Sequence, residues 1–111
     1  DVRVEEALAS LAQFDRTATA ARMLGVSERT LQRLVQGATD RTPIYWKRLA
    51  RVRRAAQALL LAPTLADCAA DHGYVDQAHM TREFKHWLGA TPTAAMARPE
   101  LLSALAASGY G

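Results

Sequence analysis

The sequence predicts an all-α fold, and three observations predict it. Aromatic residues make up only 6% of the 111, whereas hydrophobic residues make up 50%. Ala, Leu and Arg dominate, and all three are good helix formers; runs of the β-branched and aromatic residues that favour strands are few. Apolar residues recur at three- and four-residue spacing in about seven successive segments, punctuated by Gly, Pro and capping residues.

The segments follow in order. Residues 2–13 place Val4, Leu8 and Leu11 on one helical face. Residues 18–24 form a short Ala-rich helix that stops at Gly25. Ser27 caps the next helix, because its hydroxyl can accept from an unpaired N–H of the first turn; Leu31, Leu34 and Val35 give that helix its apolar face. Thr42-Pro43 restarts the chain as a cap followed by a proline at the first helical position. The helix after it is expected to run to about Leu61, with Tyr45, Leu49, Val52, Ala56, Leu59 and Leu60 at helical spacing, and Pro63 ends it. Thr64 and Asp67 have capping-box spacing, with Asp in place of Glu, and their helix ends near Gly73. Asp76 caps a helix that carries Met80, Phe84, Trp87 and Leu88 inward and ends at Gly89. Thr91-Pro92 starts a short helix bearing Met96, and a Leu101–Leu105 helix precedes a flexible Ser108-Gly109-Tyr110-Gly111 end.

Charge is unevenly spread. Residues 1–62 hold eleven Lys/Arg against six Asp/Glu, and residues 63–111 hold three against five. Between Asp40 and Asp67 there is no acid, yet Arg41, Lys47, Arg48, Arg51, Arg53 and Arg54 all fall there. Such a cluster is either a footprint for a polyanion or a solvated helix face. Cys68 is the only cysteine, so no intrachain disulfide can form and a reducing compartment fits. No apolar run approaches the roughly 20 residues of a membrane span. The acidic start (Asp1, Glu5, Glu6) is unlike the positive n-region of a secretory signal.

An internal repeat organises these elements. Ala21-x-x-x-Gly25 matches Ala69-x-x-x-Gly73 at an offset of 48. After one inserted residue the offset becomes 49: Ser27 matches Asp76, Leu31 matches Met80, Arg33 matches Arg82, Val35 matches Phe84, and Thr42-Pro43 matches Thr91-Pro92. Each copy is a short helix, a glycine turn, a capped second helix and a Thr-Pro restart. Two helices crossing steeply need a small residue where they approach, here Ala21 and Ala69. The turn needs a residue that tolerates positive φ, here Gly25 and Gly73. This is a helix-turn-helix layout, whose second helix enters the DNA major groove. The expected organisation is a first subdomain over 1–42, a linker helix over 43–62, a second subdomain over 63–98 and a tail over 99–111. A helix over residues 43–61 would span roughly 28 Å at about 1.5 Å per residue, comparable to the ~34 Å between successive major grooves on one face.

These residues resemble the DNA-binding region of bacterial AraC/XylS regulators over residues 18 to 97. The first unit, ARMLGVSERTLQRL (21–34), is similar to the family's LA-x-x-x-G-x-S-x-R-x-L-x-R-x-F pattern. Arg51-Val-Arg-Arg-Ala55 with Leu59-Leu60 is similar to R-x-x-x-A…L-L. The stretch LADCAADHGYVDQAHMTREFK (65–85) followed by Gly89-Ala-Thr-Pro92 is similar to the signature I-A-x-x-x-G-F-x-D-x-S-x-F-x-R-x-F-K…G-x-x-P. The chain departs from the pattern at Cys68 (usually Ile), Tyr74 (Phe), Val75 (a small polar residue), Ala78 (Ser), Met80 (an aromatic) and Asp40 (Gly). The resemblance implies a homeodomain-like tandem that binds double-stranded DNA in the cytoplasm and regulates transcription, with RNA polymerase or a sensory domain as a further partner. A start at Asp1 rather than Met favours a piece of a longer protein.

The recognition helices are expected over 27–37 and 77–88. On the first, the exposed N-terminal positions are Glu28, Arg29, Gln32 and Arg33; the resemblance makes Arg29, Gln32 and Arg33 the base contacts. Arg can bind guanine O6 and N7, and Gln adenine N6 and N7. On the second, the matching positions are Gln77, Ala78, His79, Thr81 and Arg82, with Gln77 and Arg82 foremost. Ala78 offers a methyl for a thymine methyl, and His79 either donates to DNA or covers the helix surface. Ser27, Thr30, Arg41, Lys47, Arg48 and Lys85 are candidate phosphate contacts, with the N-termini of both recognition helices; Arg51 is assigned a structural role.

Two other readings compete. The polar cluster Asp67, Cys68, Asp71, His72, Asp76, His79 and His86 suggests chemistry, and Cys68 and His72 stand four apart on one helix face. No second ligand pair has closed-site spacing, so no catalytic group, metal or cofactor is expected. The alternative to DNA reading is a helical protein-interaction module, which fits the acidic second half.

Overall fold

The computed structural model describes residues 2–107, and these form eight helices and no strand. They are α1 (Val2–Gln13), α2 (Thr17–Leu24), α3 (Glu28–Thr39), α4 (Pro43–Ala58), α5 (Leu65–Asp71), α6 (Gln77–Leu88), α7 (Pro92–Met96) and α8 (Pro99–Ala107). The eighth helix is the tail, where the Leu101–Leu105 pattern extends over a longer element. The expected flexible end at Ser108–Gly111 lies outside the described residues. The chain divides into two compact units that meet inside α4, between Ala50 and Arg51.

In the first unit α1 packs on α2 and α3. Ala7, Leu11, Ala20, Ala21, Leu31 and Val35 form its buried core, with Leu8, Phe14, Leu24, Val26, Leu34 and Trp46 packed around them. The inward face of α1 is therefore centred on Ala7 and Leu11, with Val4 and Leu8 only half-buried. Small residues win here because α1 crosses the Ala-rich α2 closely. Ser10 joins them: it is buried, and its hydroxyl donates to the Ala20 carbonyl at 3.0 Å. Trp46 at the start of α4 donates from Nε1 to Thr39 Oγ1 at 3.1 Å.

In the second unit α5 packs on α6 and α7 on α8. Val52, Ala55, Ala56, Leu59, Cys68, Ala69, Tyr74, Met80, Phe84, Ala95 and Leu102 are buried. Cys68 lies in this core, its thiol 3.6 Å from the Ala55 carbonyl.

The linker helix ends at Ala58 rather than near Leu61. Beyond it Leu59 and Leu61 donate back three residues, to Ala56 and Ala58. The last turn tightens because Pro63 bars its predecessor from helical backbone. That turn swings Leu60 and Leu61 outward, so Leu60 is exposed despite its helical spacing. The Thr64–Asp67 pair also differs from a full capping box. Thr64 Oγ1 accepts from Asp67 N at 3.0 Å, and the shorter Asp carboxylate accepts from the Thr64 hydroxyl at 2.9 Å.

Left-handed backbone occurs at Gly25 (φ 75°), Gly73 (φ 80°), Gly89 (φ 77°) and, alone among non-glycines of the described residues, Asp40 (φ 59°). A Cβ at Gly73 would meet no atom within 4 Å, so any substitution there is opposed by the backbone angle and not by crowding. Gly73→Val is expected to lower unfolding free energy by about 2 kcal/mol, since left-handed backbone costs an L-residue ~1–2 kcal/mol and a β-branched one most. Asp40→Gly is expected to raise it by about 1 kcal/mol, relieving that strain and removing an acid from the negative end of α3. Urea unfolding midpoints of the two variants, which should move in opposite directions, check both.

Candidate nucleic-acid interface

The two repeat copies carry the same hydrogen bonds. After α2, Gly25 N donates to Arg22 O and Val26 N to Ala21 O, both at 3.0 Å. After α5, Gly73 N donates to Ala70 O at 3.3 Å and Tyr74 N to Ala69 O at 3.0 Å. Both are Schellman turns, in which a left-handed residue lets the next N–H reach back across the helix end. The second helices of the two copies then start alike. Ser27 Oγ accepts from Thr30 N at 3.1 Å, and Asp76 Oδ1 accepts from His79 N at 2.7 Å. They also stop alike, with Asp40 N on Gln36 O and Gly89 N on Lys85 O. Each restart is capped by threonine: Tyr45 N donates to Thr42 and Ala94 N to Thr91. The residue inserted in the second copy, Val75, is 87% exposed and leaves the pattern intact.

On α3, Arg29, Gln32 and Arg33 are all exposed beside Glu28, while Leu31 and Val35 are buried behind them. On α6, Gln77, Ala78 and Arg82 are exposed and His79 and Thr81 half-buried. Each helix thus turns one polar edge outward from its N-terminal half. Ala21 and Ala69 are buried where their helices meet the next.

The candidate phosphate contacts separate into two groups. Thr30, Arg41 and Lys85 are at or near the surface; Arg41 rests over the Tyr45 ring, 5.1 Å from its centroid. Ser27 donates its hydroxyl to Thr30 Oγ1 at 3.0 Å. Lys47 donates to the Phe14 carbonyl, just past the end of α1, and is half-buried like Arg48. Lys47 therefore places its charge where α1 leaves carbonyls unpaired. Arg51 lies over the Tyr74 ring, 5.6 Å from its centroid. At the N-termini of α3 and α6 the cap side chain already occupies the third N–H of the helix, which leaves less of the end for an anion than the sequence suggests.

Glu83 was not among the expected inward residues, yet it is buried at 7% exposure. Its signal is positional: it stands three after Met80 and four before Trp87, within the inward stripe of α6. Burial of Tyr74, and after it the Glu83 carboxylate, push the Tyr74 phenol upward, against the pull of Arg51 and Arg54.

The cluster that suggested chemistry is arranged otherwise. Cys68 is buried, and burial, with Asp71 nearby, raises its thiol above the ordinary value. His72 Nδ1 lies 2.8 Å from the Cys68 carbonyl. A carbonyl only accepts, so Nδ1 carries the proton and cannot share a metal with the thiol. Among the described residues no group of three His, Cys, Asp or Glu is placed to hold a metal ion, and no helix is long and apolar enough to cross a membrane.

A family model, helix-turn-helix domain, matches residues 20–98. Neither a curated protein nor a solved structure gives a match.

Tyr74 stands where the family pattern has Phe, and its buried hydroxyl has no hydrogen-bond partner. Tyr74→Phe should therefore raise stability by about 1 kcal/mol, because the buried unpaired oxygen is removed and the ring beside Arg51 is kept. Thermal melting checks this.

Proposed function

Because the chain belongs to the AraC-type helix-turn-helix DNA-binding domain family, we propose that it reads one double-stranded site with α3 and α6 in successive major grooves. The family is non-catalytic, and its members bind DNA and regulate transcription. The observation that carries the bipartite reading is the repetition itself. Both copies keep the turn, cap and stop bonds at offsets of 48 and 49, and both leave an exposed N-terminal edge bearing Gln and Arg. A unit built only as scaffold has no need of both.

Arg29, Gln32 and Arg33 on α3, and Gln77, Ala78, Thr81 and Arg82 on α6, are the base readers in this proposal. Thr30, Arg41 and Lys85 hold phosphates.

Selection from a random DNA pool tests the proposal. Two short enriched motifs about one helical turn apart are expected; a single motif would restrict reading to one unit, and no binding would favour the protein-interaction alternative. Against the selected site, Arg33→Ala and Arg82→Ala should each weaken binding by roughly 5- to 150-fold, the range of one guanine contact, with unchanged circular dichroism. Equal affinity in either variant would remove that helix from the reading.

A further inference from the structure

The ring of His79 is built into the turn before α6 so that only one of its nitrogens can face outward. Val75 N–H donates to His79 Nδ1 at 3.2 Å. A backbone N–H only donates, so Nδ1 is the acceptor and the neutral ring carries its proton on Nε2. The ring is also set edge-on against Tyr74, with centroids 5.1 Å apart and planes at 89°. The backbone N of His79 is meanwhile held by Asp76 at 2.7 Å. Turn, cap and aromatic neighbour together fix the rotamer. Nε2 has no partner within the protein and is not among the buried unpaired atoms, so its N–H is presented to solvent.

The equivalent residue of the first copy is a partial counterpart. At the offset of 49 His79 corresponds to Thr30. There the Thr30 oxygen accepts from the Ser27 hydroxyl at 3.0 Å, which leaves its own hydrogen to be donated. In both copies the third residue of this helix accepts a hydrogen bond inside the turn and keeps one donor, but the Thr30 oxygen retains a second lone pair, so only His79 is restricted to donating.

We infer that His79 is a donor-only contact to DNA, its Nε2–H bonding an acceptor at the second half-site. The acceptor is a phosphate oxygen or a purine N7, and the amino edges of adenine N6 and cytosine N4 are rejected because they too are donors. This rests on the DNA reading above and adds the atom that makes the contact, its tautomer and the acceptors it can bond.

Two measurements test it. Long-range ¹H–¹⁵N correlation on the free domain should show Nε2 protonated and Nδ1 bare; the opposite tautomer would overturn the inference without any variant. His79→Asn keeps an amide oxygen near the place of Nδ1 and has nothing at Nε2. It should melt with the wild type, unlike His79→Ala, and bind the selected site about tenfold more weakly, the size of one hydrogen bond to a charged or strongly polar acceptor. Neutral methylphosphonates placed singly in the backbone, and 7-deazapurines placed singly in the bases, then identify the source. At one position the substitution should weaken the wild type and leave His79→Asn unchanged, a methylphosphonate marking a phosphate contact and a 7-deazapurine a base contact. Wild-type affinity in His79→Asn would overturn the assignment while leaving the DNA reading intact. A wild-type domain that selects no sequence would overturn the DNA reading itself.

Discussion

Each unit depends on one backbone constraint: a residue after its first helix that turns left-handed, at Gly25 and again at Gly73. The space around both glycines is open, so the requirement is conformational. Once the chain turns there, the following N–H can only reach back to the helix it has left, and the bond it makes ends on Ala21 or Ala69. Those alanines are also the small buried residues that allow the next helix to approach. The turn further decides what happens to the residue after glycine. Val26 packs against the first core and Tyr74 is buried in the second unit, an apolar plug that commonly accompanies this turn. The capping residue, the direction of the recognition helix and the side chains it exposes all follow from that plug being seated.

What could be read from the sequence was whatever is decided locally. Glycine at a left-handed turn, Ser27, Thr64, Asp76 and Thr91 as caps, and proline at Pro43 and Pro92 act through their own backbone and nearest neighbours, and each stands where it was expected. The outward edges of α3 and α6 were readable for a related reason, because the periodicity that buries Leu31, Val35, Met80 and Phe84 leaves only one polar edge. What was not readable depends on partners distant in sequence. The inward role of Ser10 exists only because the Ala20 carbonyl comes within 3.0 Å of it. Glu83 is an acid on a stripe where pattern alone expects an apolar residue. Leu60 has the spacing of a core position, but the tightened turn before Pro63 rotates it out. Lys47 reads as a free cation until Phe14, thirty-three residues earlier, supplies a carbonyl.

The two copies share geometry but differ in charge, and the difference begins at the cap. Ser27 is neutral and leaves the positive end of the α3 dipole uncompensated apart from Glu28. Asp76 places a carboxylate directly on the first turn of α6, offsetting the same partial charge. An approaching phosphate therefore meets a less favourable potential at α6 than at α3, and the surrounding composition deepens the contrast, since the basic residues concentrate before residue 62. In the proposed DNA reading, long-range attraction and salt dependence then belong mainly to the first copy. In the same proposed reading, α6 engages its site through short-range donors aimed at particular acceptors, which is the character of Gln77, Arg82 and the outward Nε2–H of His79. An aspartate cap suits such a helix: its charge holds the His79 N–H at 2.7 Å, and a tightly seated first turn fixes the direction from which those donors leave the protein.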